Sequence, residues 1–155
     1  VDGVTDIFNE IGAEIGATEI SHFPEEASWL VEMPTTQIVV FYLADSGVLQ
    51  FQAAAGTPPQ ASKLQVYSML LQYNRLWDQS NGITMALEGA DGEVVQNQAL
   101  SLWKLDKDGL LFTISTFVNT LLIMRASIGT GFADEAPNVE QDSPADDGIE
   151  GIIRV

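Results

Sequence analysis

Residues 63–79, KLQVYSMLLQYNRLWDQ, residues 83–105, ITMALEGADGEVVQNQALSLWKL, and residues 108–127, DGLLFTISTFVNTLLIMRAS, decide the fold. They predict a helix, two strands and a second helix. In the first helix Leu64, Tyr67 and Leu71 share one side, Val66, Leu70, Tyr73 and Trp77 a second, and Met69 and Leu76 a third. A helix apolar nearly all round must be covered on more than one side. A short chain has few layers to do this, so part of the cover is expected from another chain. Ser80-Asn81-Gly82 stops the helix in the manner of a C-cap. Ile83, Met85 and Leu87 then alternate with Thr84, Ala86 and Glu88, as in a half-buried strand. Gly89-Ala90-Asp91-Gly92 makes the turn, and the return strand, 93–102, carries polar Gln96, Asn97 and Gln98. The last helix, capped by Asp106 or Asp108, presents Leu111, Ile114, Val118 and Leu122 on one face and Leu110, Phe117, Leu121 and Met124 on the next.

Upstream, residues 4–16, VTDIFNEIGAEIG, predict an amphipathic helix with Ile7, Ile11 and Ile15 in an i, i+4 stripe and Phe8 at its edge. Residues 17–27, ATEISHFPEEA, read as a polar connection broken by Pro24. Three strands follow at 28–33, 36–43 and 48–53. The middle one, TQIVVFYL, has the β-branched and aromatic content of a strand buried on both faces. Asp45-Ser46-Gly47 is a hairpin turn, and Pro58-Pro59 ends regular pairing. The order α-β-β-β-α-β-β-α predicts an α+β fold with a twisted antiparallel sheet, helices on one face and the other partly open. Residues 1–128 form this domain. Residues 129–155 hold seven carboxylates, two prolines and one cation, an acidic C-terminal tail by composition, with apolar Ile149, Ile152, Ile153 and Val155 at its end.

Composition narrows the function. With 155 residues, one domain is expected, large enough for a core without staples. There is no cysteine and one histidine, which removes thiolate ligands and multi-histidine metal sites. The net charge of −16 rests on 22 acidic and six basic residues and argues against nucleic acid and against an anionic membrane surface. No stretch of about 18 or more apolar residues is present to span a bilayer. Together these predict a cytoplasmic chain with a strongly negative exterior and no cofactor.

The chemistry of catalysis has no support. Glu25-Glu26 and Asp146-Asp147 are adjacent pairs in loops, whereas a glycosidase sets two carboxylates across a cleft. His22, near Glu19 and Glu25, reads as a loop histidine. Asp106-Lys107-Asp108-Gly109 lacks the spacing of a calcium loop and reads as a helix cap. No phosphate loop or nucleophile elbow occurs. The chain is therefore not expected to be an enzyme.

Residues 4–128 resemble the Tir-chaperone (CesT) family of type III secretion chaperones. The pattern is a Leu-rich helix ending in an Asn-x-x-Trp segment (70–77, LLQYNRLW), the polar linker Ser80-Asn81-Gly82, an alternating strand, an acidic Gly turn, and the Leu-rich run 99–102. The last helix has the spacing Leu110, Phe117, Leu121. The resemblance implies a homodimer whose middle helix and adjacent strand pack across a two-fold axis, placing Leu70, Leu71, Asn74, Trp77, Met85 and Leu87 at the dimer interface. It also implies ATP-independent binding of an extended N-terminal segment of a secreted effector protein, kept soluble and export-competent. Candidate effector-binding residues are Ile7, Phe8, Ile11, Trp29, Val31, Met33, Phe41 and Phe51, with Trp29 and Met33 favoured as surface contacts because large aromatic and adaptable thioether faces suit binding. The long acidic tail and the polar strand at 93–99 depart from the family pattern. The alternatives are a YbjN-like accessory or regulatory protein of the same fold with no secreted client, and a small ligand-binding domain.

Overall fold

The computed structural model describes residues 2–89 and 92–130. Its elements are α1 (Asp2–Ile11), β1 (Glu19–Phe23), β2 (Ser28–Met33), β3 (Thr36–Leu43), β4 (Val48–Gly56), α2 (Lys63–Asn74), β5 (Thr84–Leu87), β6 (Val94–Ser101) and α3 (Lys107–Thr130). The strands form one antiparallel sheet in the order β1-β2-β3-β4-β6-β5. The α+β class holds, but the order gains a strand. Residues 19–23 are β1, where a connection was expected. Ile20 and His22 alternate with Glu19, Ser21 and Phe23, and Ile20 meets Val31 while His22 meets Trp29 in the register. The strand is short and mostly polar, and only its pairing with β2 reveals the period of two.

The register separates the two faces. On the covered face His22, Trp29, Val40, Phe51 and Gln98 form one row across five strands, and Ala53, Gln96 and Met85 another. On the uncovered face Ser21, Leu30, Val39, Gln52, Asn97 and Thr84 form the matching row, all of them half-buried. α3 lies on the covered face through a buried stripe of Leu110, Thr113, Ile114, Phe117, Leu121, Met124 and Ile128. Of the two faces read from the sequence, the one with Phe117 and Leu121 is buried, Leu111 and Val118 are half-buried, and Leu122 is exposed.

This helix corrects the expectation about membranes. At 24 residues it is long and apolar enough to cross one, the interruptions by Thr, Ser and Asn having hidden this. Its buried stripe packs against the sheet in the way of a core helix. It continues through Gly129 and Thr130, and the rest of the expected acidic tail lies outside the described residues.

Both other helices stop early. α1 ends at Ile11, and Ala17 N donates to Gly12 O at 2.9 Å as the chain turns through Gly16 (φ +71°). A Cβ at Gly12 would stand 3.1 Å from Cδ1 of Ile20, so the missing side chain lets α1 approach β1. Val4, Phe8 and Ile11 form the buried stripe, making Phe8 its centre. α2 ends at Asn74, and residues 75–82 form turns closed by Gly82 N donating to Trp77 O at 2.8 Å. Lys107, at the start of α3, holds Glu10 at 3.0 Å and Glu14 at 2.7 Å, and these carboxylates raise its pKa. Asp106 caps α3 by accepting from Gly109 N at 2.7 Å, as expected of a cap.

Candidate partner-binding surfaces

The exterior of α2 leaves large apolar side chains open, as does that of α3 at Phe112 and Ile123. Val66 and Leu70 point inward, while Leu64 is 85% exposed, Leu71 71% and, in the following turn, Trp77 62%. Between α2 and β5 runs a groove of about 320 Å³ lined by Tyr67, Leu70, Leu71, Asn74, Met85 and Leu87, with Ala86 beside them. The six residues expected at a dimer interface thus fall into three groups. Leu71, Trp77 and Leu87 present exposed apolar surface, whereas Leu70 and Met85 are buried within the chain. Asn74 has an internal partner. Its Nδ2 donates to Met85 O at 2.8 Å and its Oδ1 accepts from Met85 N at 2.7 Å. It occupies the outer edge of β5 in the way a neighbouring strand would.

The expected effector contacts are divided in a different way. Phe8, Ile11, Trp29, Val31 and Phe51 are fully buried in the core of this chain. Trp29 in particular is no surface contact. Its ring lies 5.7 Å from Phe8 and stacks on His22 at 4.9 Å, and its Nε1 donates to Thr5 Oγ1 at 3.0 Å. The alternation of residues 28–33 marked the correct face but did not reveal that α1 covers it. Ile7 and Met33 are half-buried against that core, and Phe41 is half-buried on the uncovered face. His22 is likewise half-buried and stacked rather than a free loop residue, and its Nε2 is buried without a partner.

The polar residues of β6 also have structural partners. Gln96 Nε2 donates to Phe117 O of α3 at 2.8 Å, and Gln98 Nε2 donates to Asn81 O at 3.0 Å, tying the strand to the helix and to the turn before β5. Sequence reasoning flagged them as an irregularity and missed this use. Among the described residues no three His, Asp or Glu side chains gather in a way that would hold a metal ion.

The two sheet edges differ. At β5 the edge is closed at Met85 by Asn74. β1 pairs with β2 alone, and its other edge makes no backbone hydrogen bond to another described element. The described residues thus form an antiparallel sheet with helices on one face, one edge closed at Met85 by a side chain and the other open, and an apolar helix exterior.

The chain belongs to the Tir chaperone protein (CesT) family, whose model matches residues 7–125. This is a chaperone family. No curated protein matches the chain. Among solved structures, a chain of the ExsC–ExsE complex is similar with a TM-score of 0.69 and 14% identity, covering 83% of this chain and 95% of that one. A chain of the HopA1–SchA chaperone–effector complex is similar with a TM-score of 0.63 and 10% identity, covering 79% and 93%. YbjN, a putative transcription regulator from E. coli, is similar with a TM-score of 0.53 and 14% identity, covering 81% and 89%. At these identities the likenesses show the fold.

Proposed function

We propose that the chain is an ATP-independent type III secretion chaperone. It acts in the cytoplasm as a homodimer and holds an extended N-terminal segment of a secreted effector. Family membership over residues 7–125 supports the chaperone role, and the HopA1–SchA chaperone–effector complex supports an effector as the class of partner. The observation that carries the reading on this chain is the contrast between its edges. β1 offers unpaired backbone groups to an added strand, whereas Asn74 occupies those of Met85 on β5. The exposed Leu64, Leu71 and Trp77 supply the apolar contact for a second copy, with Leu87 at the groove between α2 and β5.

The experiment is a pull-down with the full chain from cells grown under secreting conditions. It is followed by deletion of the N-terminal region of any dominant partner. One partner, retained without ATP and lost with that deletion, is the expected result. A clean bait while the secretion apparatus is made overturns the reading and favours the YbjN-like one, which has the same fold and no secreted client.

A further inference from the structure

Phe112, Ser115, Asn119, Leu122 and Ala126 stand on the outer face of α3, three and four residues apart in alternation, and all are exposed. Ile123, beside them, is 65% exposed. This spacing is that of a seam along which two helices pack. It runs for about 21 Å from Phe112 to Ala126. It faces away from the buried stripe through Phe117 and Leu121 that meets the sheet.

The seam carries no ionised group. From Gly109 to Thr130 the one ionisable side chain is Arg125. Its guanidinium is turned to the end of the sheet, where it donates to Ala54 O, Thr35 O and Thr36 Oγ1. In a chain of net charge −16, two copies repel wherever carboxylates meet, so a contact between copies needs a face without them. α1, by contrast, exposes Asp6 and Glu10.

The seam is also its own complement. When two α3 helices run in opposite directions with a two-fold axis at Asn119, residues equally far before and after Asn119 come opposite each other. Phe112 then faces the partner's Ala126, Ser115 faces the partner's Ile123, and Thr116 faces the partner's Leu122. Each pair sets a large apolar side chain against a smaller one, as interlocking helix surfaces require. A parallel pair would instead set Phe112 against Phe112 and Ala126 against Ala126, crowded at one end and empty at the other. On the axis Asn119 meets its own copy. An amide has a donor and an acceptor, so the two satisfy one another. A single amide on an apolar seam also fixes the register.

We infer that the outer face of α3 binds a second copy of this chain, antiparallel and centred on Asn119. One pair of helices buries less than the roughly 1,600 Å² of a standard interface, so the contact forms as the protein is concentrated. It is separate from the α2 surface and joins copies whether or not they also meet there. It goes beyond the effector reading and does not need it.

The chain has no cysteine, so single cysteines report the geometry in the full-length protein. Under mild oxidation at high protein concentration, Asn119→Cys should link to its own copy. Ser115→Cys alone should not, because the two positions stand about 12 Å apart along the helices, beyond the reach of a disulfide. A mixture of Ser115→Cys and Ile123→Cys chains should give the mixed dimer. Asn119→Asp sets two carboxylates on the axis and should abolish the association without changing the far-ultraviolet circular dichroism. In the Leu71→Asp chain, sedimentation should show the mass doubling from monomer to dimer on concentration, and adding Asn119→Asp should remove that doubling. Self-linking by Ser115→Cys, no linking by Asn119→Cys, or an association indifferent to Asn119→Asp each overturns the inference. These readouts need no effector, so a failed pull-down leaves them untouched.

Discussion

Asn74 and Met85 close a two-bond ring between the last turn of α2 and the edge of β5, with Asn74 Nδ2 donating to Met85 O at 2.8 Å and Met85 N donating to Asn74 Oδ1 at 2.7 Å. A side-chain amide, which carries a donor and an acceptor on the same carbon, can serve both groups of an edge residue at once. The pair fixes where α2 sits against the hairpin and leaves no open backbone at Met85 for another strand. Asn74→Ala is expected to destabilise the fold by about 1–3 kcal/mol, since it leaves a partly buried donor and acceptor unpaired. It should also increase self-association, because the edge is reopened. Asn74→Asp keeps the acceptor for Met85 N but sets a second carboxylate oxygen against Met85 O, so it should be no more stable than Asn74→Ala. Urea denaturation and light scattering measure both effects. An Asn74→Ala variant as stable as the parent would show that water serves Met85 equally well.

Leu71 and Trp77 are largely exposed in the single chain, and the proposed dimer gives them cover. Leu71→Asp and Trp77→Asp should leave the protomer folded, since neither side chain is in its core. Either would place an unpaired charge in an apolar interface and should convert the protein to a monomer. Light scattering together with far-ultraviolet circular dichroism separates loss of assembly from loss of fold. A dimer that survives both substitutions places the interface on another surface.

How much of this could be read from the sequence followed from how local each signal was. The hairpin turn at Gly47 (φ +63°), the cap at Asp106 and the buried stripe through Phe117 and Leu121 depend on neighbours within a turn or two, and all three were legible. β1 was missed because EISHF is defined by its pairing with β2, not by its own composition. The end of α2 was placed too late because the apolar residues Leu76 and Trp77 continue the helical spacing while the chain has already turned. Among the candidate effector contacts, the alternation that selected Trp29 and Val31 identified a face correctly. Whether that face meets solvent or a helix is a tertiary fact, and α1 covers it through Phe8 and Thr5.

Gln96 offers a test of a buried amide. Its Nε2 serves Phe117 O, while its Oε1 is buried with no partner. Phe117 O is in the interior of α3, where the helix supplies its own donor, so removing the amide does not orphan it. Gln96→Met keeps most of the volume and removes the unsatisfied acceptor, so its stability should stay within about 1 kcal/mol of the parent. Gln96→Ala leaves a cavity under α3 and should cost about 2–5 kcal/mol by analogy with other long buried side chains. Denaturant midpoints would decide, and equal losses for both would mean that the hydrogen bond, not the packing, holds β6 to the helix.

Tyr73 should contribute to the loss of stability at alkaline pH. Burial raises its pKa above the ordinary value of 10.0, and hydrogen bonds with Ser80 and Thr120 only partly offset this. In the unfolded chain the phenol ionises first. Its contribution is therefore fully present below the unfolded pKa and is lost as the pH rises through the folded one. Lys107 acts in the same direction, because Glu14 and Glu10 raise its pKa above 10.5. Stability should thus fall above about pH 10, and Tyr73→Phe should flatten that decline while changing little at neutral pH. Lys107→Gln removes the second contribution independently, because it lies at the α1–α3 contact and not beside α2. Thermal unfolding of the three proteins from pH 8 to about pH 11 measures the slopes. A Tyr73→Phe variant with the parental slope would mean that the ring is as hydrated as an exposed phenol, and that the packing of α2 against Thr120 is looser than described.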